Sequence, residues 1–203
     1  MTAGSPVRVI VTGEVGCGKT QACAAAAARL QDLGWDVAGI LSPAVWNGER
    51  KVGINALDLR SGNVRCLAKR AIAGDHTQGP ATPGWRFDVE TIALCNSLLS
   101  AANDCDLLVV DELGPMEFES GGGLVRGMQA LDDGRFRLAM VVVRPRLLQA
   151  AQQRWPGAEV LVVDGLAQIP ARVEQVLDLA GTLKPFRPRD CDAGLRPSGE
   201  PRS

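Results

Sequence analysis

The stretch VRVIVTGEVGCGKTQ, residues 7–21, decides the fold of this chain. Apolar and β-branched residues predict a buried strand, a glycine-rich loop follows, and an alanine-rich segment over residues 19–33 predicts a helix. The loop fits G-x-x-x-x-G-K-[ST], in which Gly13, Gly18, Lys19 and Thr20 occupy the fixed positions. Glycines let backbone N–H groups converge on a phosphate, and the start of the following helix adds a positive dipole end. The stretch therefore predicts a phosphate-binding loop between a strand and a helix.

Each residue of this loop has an expected part in holding a triphosphate. Lys19 is placed to reach the β and γ oxygens, and Thr20 to offer its hydroxyl to Mg²⁺. We therefore expect the cofactor Mg²⁺ and a nucleoside triphosphate substrate. The residues expected to hold the nucleotide are Gly13, Glu14, Val15, Gly16, Cys17, Gly18, Lys19, Thr20 and Gln21.

An acidic pair follows a second apolar run, LLVVDELGPME at residues 107–117. Asp111 is expected at the carboxyl end of a short strand, where ligands bind in open α/β sheets, and is a second candidate ligand for Mg²⁺. Glu112 comes next, and we expect it to turn toward the γ-phosphate because the strand ends there. A carboxylate at that point can orient a water molecule and accept its proton. The predicted catalytic residues are therefore Glu112, Lys19 and Asp111, and the expected reaction is hydrolysis.

Length, composition and charge limit the classes of protein to which this chain can belong. The chain has 203 residues, 46% of them hydrophobic, and a net charge of −1. This length predicts one domain, over residues 1–183, and the proline-containing segment 184–203 predicts a disordered tail. The charge gives no reason to expect a nucleic acid or an anionic membrane as partner, and no apolar run is long enough to cross a bilayer. Six cysteines without a C-x-x-C pair, and an N-terminus unlike a signal peptide, favour a cytoplasmic location.

The rest of the chain alternates between predicted strands and helices. This alternation predicts an α/β three-layer sandwich with a mostly parallel central sheet, and an added β-hairpin at residues 51–69. We number the strands at residues 7–12, 37–44, 107–111, 136–143 and 158–164 from first to fifth. An Asp-Glu pair after an apolar strand resembles the branch of P-loop NTPases in which an extra strand separates the two motif strands. The order expected on that basis is 5-1-4-3-2, with the hairpin beside the second strand.

Several side chains have two possible roles. Arg144 and Arg146 follow the fourth strand, and either could neutralise γ-phosphate charge or lie in solvent at a helix start. Glu117 could support the metal, pair with an arginine or do neither. The aromatic residues Trp85 and Phe87 could stack on a base or anchor the loop expected at residues 74–87. His76, in that loop, is expected to be exposed. No Asn-Lys-x-Asp stretch indicates selection of guanine.

Three stretches together resemble the THEP-type, cancer-related nucleoside-triphosphatase family. They are VTGEVGCGKT, GILSPAVWNGERKVGINALDLRSG and LLVVDELGPMEF, and the resemblance covers roughly residues 7–180. It implies Mg²⁺-dependent hydrolysis of ATP, GTP and other nucleoside triphosphates with relaxed base preference. On this pattern the glycines of the loop, with Lys19 and Thr20, bind phosphate and metal, and the acidic pair serves catalysis. One departure is Pro115, where some family members carry a lysine.

Two alternatives stay open. A small-molecule or nucleotide kinase would use the same phosphate loop, close a lid from residues 74–87 or 144–154, and use Glu112 to deprotonate an acceptor hydroxyl. A slow ATP-dependent switch would act on a protein partner and be stimulated by it. The oligomeric state has no signal in the sequence.

Overall fold

The computed structural model describes residues 5–71, 81–82 and 84–183. Its strands are β1 Val7–Thr12, β2 Val37–Leu41, β3 Ala44–Asn47, β4 Arg50–Asp58, β5 Val64–Arg70, β6 Ala81–Thr82, β7 Trp85–Phe87, β8 Cys105–Leu113, β9 Phe136–Val143 and β10 Glu159–Val162. Its helices are α1 Lys19–Asp32, α2 Val89–Ser100, α3 Pro115–Glu119, α4 Val125–Asp133, α5 Leu148–Arg154 and α6 Ile169–Thr182, with 3₁₀ turns at Pro145–Leu147 and Leu166–Gln168.

Five parallel strands form the centre of the sheet, in the order β10-β1-β9-β8-β2. Strand β9 therefore lies between β1, which leads into the glycine loop, and β8, which carries the acidic pair. Helices connect the parallel strands, which makes the chain an α/β fold, as its sequence predicts. All carboxyl ends of the parallel strands lie on one edge of the sheet, where a ligand can reach several loops at once.

The core consists of two apolar layers, one on each face of this sheet. In β8, Leu107 and Val109 pack in the layer that includes α1 and α6. The alternate residues Leu108 and Val110 pack in the layer that includes α2 and α4. Because both faces are covered, the strand is a continuous apolar run and not an alternating one. The helices therefore fix the sheet from both sides and hold its carboxyl edge in place.

Antiparallel strands extend the sheet beyond β2, and this extension is larger than a two-stranded hairpin at residues 51–69. β4 pairs with β2, β3 and β5, and β7 pairs with β5 and β6. The second strand does not run through to residue 44 as expected. It ends at Leu41, because the Ser42 N–H donates to Asp111 and Pro43 has no N–H to donate.

Other expectations also change. The acid-bearing strand does not end at residue 111 but continues to Leu113, and the short helix α3 follows it. Residues 85–87 of the expected loop form β7. Asp88 caps α2 by accepting from the Thr91 N–H at 2.8 Å. His76, with residues 74–80 and 83 of that loop, and the expected tail at residues 184–203 lie outside the described residues. No helix in the described part of the chain is both long and apolar enough to cross a bilayer.

Candidate active site

The glycine loop connects β1 to α1 at the carboxyl edge of the sheet. Gly13 has φ 146° and Gly18 has φ 103°, backbone conformations that favour glycine. A Cβ at Gly13 would lie 2.2 Å from the carbonyl oxygen of Val163, so the loop can approach the segment after β10 only without a side chain there. The loop therefore presents backbone at this edge, as the sequence predicts.

Lys19 is buried inside this loop. Its side chain is 9% exposed, and its ammonium donates to the carbonyl oxygens of Gly13 at 2.8 Å and Glu14 at 2.7 Å. The Cys17 sulfur lies 3.8 Å from the same nitrogen. These contacts hold the ammonium at the centre of the loop. Of the other expected residues, Glu14, Val15, Gly16 and Gln21 are exposed around it.

Asp111 lies beside Thr20 in a buried position. It is 1% exposed, accepts the Ser42 N–H at 3.1 Å and accepts a hydrogen bond from the Thr20 hydroxyl. Burial raises the pKa of Asp111 to about 6, although these hydrogen bonds and Lys19 act in the opposite direction. The two expected metal ligands are therefore brought together.

Glu112 occupies an irregular step of the sheet. Val110 pairs with Val141 and Leu113 with Val143, so two residues of β8 stand opposite the single residue Val142. Such a bulge changes the direction in which a side chain points. In a regular strand, consecutive side chains point to opposite faces. The bulge explains how Asp111 and Glu112 can lie at the same site although the strand continues beyond them.

The Glu112 carboxylate forms an ion pair with Arg144, at the end of β9. The side chain of Glu112 is 31% exposed and that of Arg144 is 45% exposed. Of the two arginines left open by the sequence, Arg144 thus meets the acidic pair. Arg146 is exposed on the 3₁₀ turn that follows.

Glu117 holds the segment after β8 and does not pair with an arginine. Its carboxylate accepts the N–H groups of Gly114 and Leu124, both at 2.7 Å. Burial raises the pKa of Glu117. A Cβ at Gly123 would lie 1.9 Å from this carboxylate, so the segment closes tightly around it. Glu117 therefore fixes the backbone beside the acidic pair.

The two aromatic candidates have different surroundings. Phe87 packs against the core layer of α2 and α4. Trp85 is half-buried on the antiparallel extension, with the Lys51 ammonium 5.0 Å and the Arg70 guanidinium 5.6 Å from its ring centroid. The Trp85 ring therefore holds the Lys51 and Arg70 side chains in place through cation–π contacts.

Three contributors to the site were missed from the sequence. Ser42 binds both the carboxylate and the backbone carbonyl of Asp111. Lys51 interacts electrostatically with Glu112 and Asp111 from the extension. Leu166, after β10, is exposed beside Gly18. Only the break at Ser42-Pro43 had a signal, since proline interrupts a strand.

Comparison with known proteins gives consistent matches. A family model described as NTPase matches residues 8–164. The nucleoside-triphosphatase THEP1 of Archaeoglobus fulgidus is 34% identical over 161 residues, which cover 78% of this chain and 90% of that protein. THEP1 of Methanopyrus kandleri is 32% identical over 116 residues, which cover 57% of this chain and 62% of that protein.

A solved structure shares the fold. The solution structure of a human cancer-related nucleoside triphosphatase aligns with a TM-score of 0.67 at 21% identity, covering 88% of this chain and 100% of that one. The family-model match spans most of the chain, and the Archaeoglobus relative is covered nearly end to end. The chain therefore belongs to this NTPase family, the one that its three motif stretches resemble.

Proposed function

We propose that the chain hydrolyses nucleoside triphosphates to diphosphate and phosphate with Mg²⁺ as cofactor. One observation carries the proposal: Lys19, Thr20, Asp111 and Glu112 converge at the carboxyl edge of the sheet from the glycine loop and from β8. The name of these relatives, nucleoside-triphosphatase, supports the same reaction.

The residues at this point fit a magnesium ion. Thr20 and Asp111 supply a hydroxyl and a carboxylate, the oxygen ligands that Mg²⁺ prefers when phosphates and water complete its shell. A buried carboxylate whose pKa is raised lacks a cationic partner strong enough to offset its burial. Thr20 and Asp111 would hold the ion, which when bound would neutralise charge on the β and γ oxygens.

The glycine loop and Lys19 would bind the phosphates. The Lys19 ammonium donates to two loop carbonyls in this structure. Charged phosphate oxygens bound in the loop would be stronger acceptors for the same ammonium. The N-terminus of α1, directly after Gly18, favours negative charge there. Glu14, Val15, Gly16, Cys17 and Gln21 complete the proposed nucleotide site around this centre.

Glu112 would orient the attacking water and accept its proton. Its carboxylate is partly exposed next to Asp111, so water can reach it. Arg144 would hold that carboxylate in place and bring positive charge near the γ-phosphate. The proposed catalytic residues are thus Glu112, Lys19 and Asp111.

We infer that base preference is broad. Leu166, the exposed side chain next to Gly18, is apolar and can contact any base without reading its hydrogen-bonding edge. We therefore expect hydrolysis rates for ATP, GTP, CTP and UTP to lie within about one to two decades. One nucleotide preferred by more than about 10³-fold would contradict this inference.

The test of the proposal is phosphate release from these four triphosphates, with Mg²⁺ and with EDTA. We expect release from nucleotide and Mg²⁺ alone, and none with EDTA. Release that begins only after an acceptor alcohol is added would indicate a kinase. Release that requires cell extract would indicate a switch for a protein partner.

Two further proposals concern the whole chain. We infer that residues 1–183 form one domain, since one sheet connects β6 to β10 through both the parallel and antiparallel strands. A cytoplasmic location remains a prediction from the sequence.

A further inference from the structure

Strand β4 reaches past the parallel sheet on the side of the proposed active site. It pairs with β2 only through its last two residues, Leu57 opposite Leu41 and Asp58 opposite Ile40. Because the two strands are antiparallel, residues 50–56 continue beyond the carboxyl end of β2. At about 3.3 Å per residue, this overhang is about 20 Å long. The extension therefore forms a wall beside the edge that carries the acidic pair.

Lys51 lies on this overhang and is held there. Its side chain is half-buried, and its ammonium sits 5.0 Å from the centroid of the Trp85 ring. Trp85 is fixed in turn because it pairs with Arg70 in the antiparallel sheet. An exposed lysine is usually free to move on a flexible stem, and contact with an aromatic ring restricts it. Lys51 is therefore a positioned cation.

The charges around Lys51 identify which part of the site it faces. Burial lowers the pKa of Lys51. The negative charges of Glu112 and Asp111 raise this pKa, and the positive charges of Arg144 and Lys19 lower it. The charges of Glu112 and Arg144 affect the pKa of Lys51 more than the charges of Asp111 and Lys19 do. In residues 5–71, 81–82 and 84–183, no carboxylate oxygen lies within 4 Å of its ammonium. Lys51 therefore faces the water-activating end of the site without being neutralised by a direct pair.

We propose that Lys51 binds the γ-phosphate of the nucleoside triphosphate, as a cation that the antiparallel extension contributes to the site. This inference rests on the proposed function, because it needs a triphosphate in the glycine loop. Lys19 and the loop hold the β-phosphate side, and the Glu112 side is where the terminal phosphate must lie for attack by water. Lys51 and Arg144 then supply positive charge from two directions. Lys51 would thus distinguish triphosphate from diphosphate.

The test compares binding of a non-hydrolysable ATP analogue with binding of ADP, both with Mg²⁺, in four proteins. They are the unmodified chain, Lys51→Met, Lys51→Arg and Arg50→Met. Arg50 is the adjacent, exposed residue of the same strand, so its variant removes a charge without touching the site. The quantity is the ratio of the ADP Kd to the analogue Kd, which does not depend on the fraction of active protein.

For Lys51→Met we expect this ratio to fall about tenfold or more, since a charge-assisted contact to the γ-phosphate is lost. Lys51→Arg should recover part of the ratio, and Arg50→Met should leave it unchanged. Equal ratios in Lys51→Met and Arg50→Met would overturn the inference. Equal weakening of both ligands would also overturn it, because Lys51 would then only support the fold. If Lys51→Met does not fold, Lys51→Gln gives the same comparison with a polar side chain.

The two proposals fail differently in this experiment. If the unmodified chain binds neither ligand, or binds both without hydrolysing any triphosphate, the proposed function fails. If it binds and hydrolyses triphosphate while Lys51→Met keeps the ratio, only the role of Lys51 fails.

Discussion

The parallel half of the sheet and its antiparallel extension differ in how their charged side chains are held. In the parallel half, Lys19 and Asp111 are buried and bound by backbone groups of the loop and of Ser42. In the antiparallel extension, Lys51 and Arg70 lie over the ring of Trp85, and their charges stay closer to solvent. In the first arrangement each buried charge has few partners, so replacing one should have a large effect on stability or on the reaction. In the second arrangement single charged residues can be replaced independently of one another.

This difference has a consequence for function. The buried half should determine whether the reaction occurs, because its groups cannot be replaced by water. The extension should adjust how strongly the terminal phosphate is held. Variants of each half can therefore test the comparison.

The largest effect is expected in the parallel half, from Lys19→Ala. This variant removes the buried ammonium from the centre of the glycine loop, and nucleoside-triphosphate hydrolysis should fall by about 10³-fold or more. Steady-state phosphate release and equilibrium binding of triphosphate both measure the loss. Lys69→Ala, an exposed lysine of β5, is the matched control and should keep its activity. Full activity of Lys19→Ala would end the assignment of the glycine loop.

Glu112→Gln is expected to cost rate while leaving affinity unchanged. The amide keeps the size of the side chain but cannot accept a proton, so kcat should fall by at least about 10²-fold. Single-turnover hydrolysis beside nucleotide Kd measures the two effects separately. Glu119→Gln, on the exposed end of α3, is the control. A near-normal rate for Glu112→Gln would mean that water is activated elsewhere.

Asp111→Asn should make the metal-free protein more stable at neutral pH while reducing hydrolysis. Burial raises the pKa of Asp111 from 3.8 to about 6, so the folded state favours the protonated acid. Its contribution to stability is full below about pH 4 and is lost as pH rises through about 6. At pH 7.5 the variant should gain about 3 kcal/mol in free energy of unfolding, since each pH unit between 3.8 and about 6 corresponds to about 1.4 kcal/mol.

Urea unfolding in EDTA at pH 5 and pH 7.5 measures this gain. The exposed acid variant Asp164→Asn is the control and should behave alike at both values. A loss of stability at pH 7.5 would show that the Asp111 carboxylate is compensated in the free protein. The contrast between buried and exposed charge would then be weaker than described.

The smallest effect is expected at the boundary of the two halves, from Arg144→Met. Arg144 is partly exposed and holds Glu112, so its loss should lower kcat about tenfold, or about 1.4 kcal/mol in the barrier. Arg146→Met, two residues on, should change the rate by less than about twofold because that side chain faces solvent. A faster Arg144→Met variant would mean that the ion pair restrains the Glu112 carboxylate instead of positioning it.

The parallel half was largely predictable from the sequence because its constraints are local. Gly13 and Gly18 need a backbone conformation that few residues adopt, and the short apolar run before Asp111 is typical of a strand buried on both faces. The position of Glu112 after the apolar run indicated hydrolysis, and the family resemblance supported that role. These predictions place Lys19, Thr20 and Asp111 together, as the structure does.

The extension was largely missed because its features depend on pairing between distant segments. Nothing local links Lys51 to Trp85, which are 34 positions apart, and β3 and β7, with four and three residues, are too short to show the alternation of a strand. The ion pair of Arg144 with Glu112 likewise depends on β9 lying next to β8. Glu117 could not be assigned because its partners are backbone groups, which every sequence has.

The continuity of β4 with the main sheet also affects how the enzyme turns over. Residues 50–58 form one strand whose last residues are hydrogen-bonded to β2, so its overhanging part has no hinge at the junction. This wall is therefore already formed before substrate binds, unlike a domain that closes over the substrate in each cycle. Movement of residues 50–58 should then add no dependence on solvent viscosity to the rate of phosphate release, because this strand does not have to cross the liquid in each cycle.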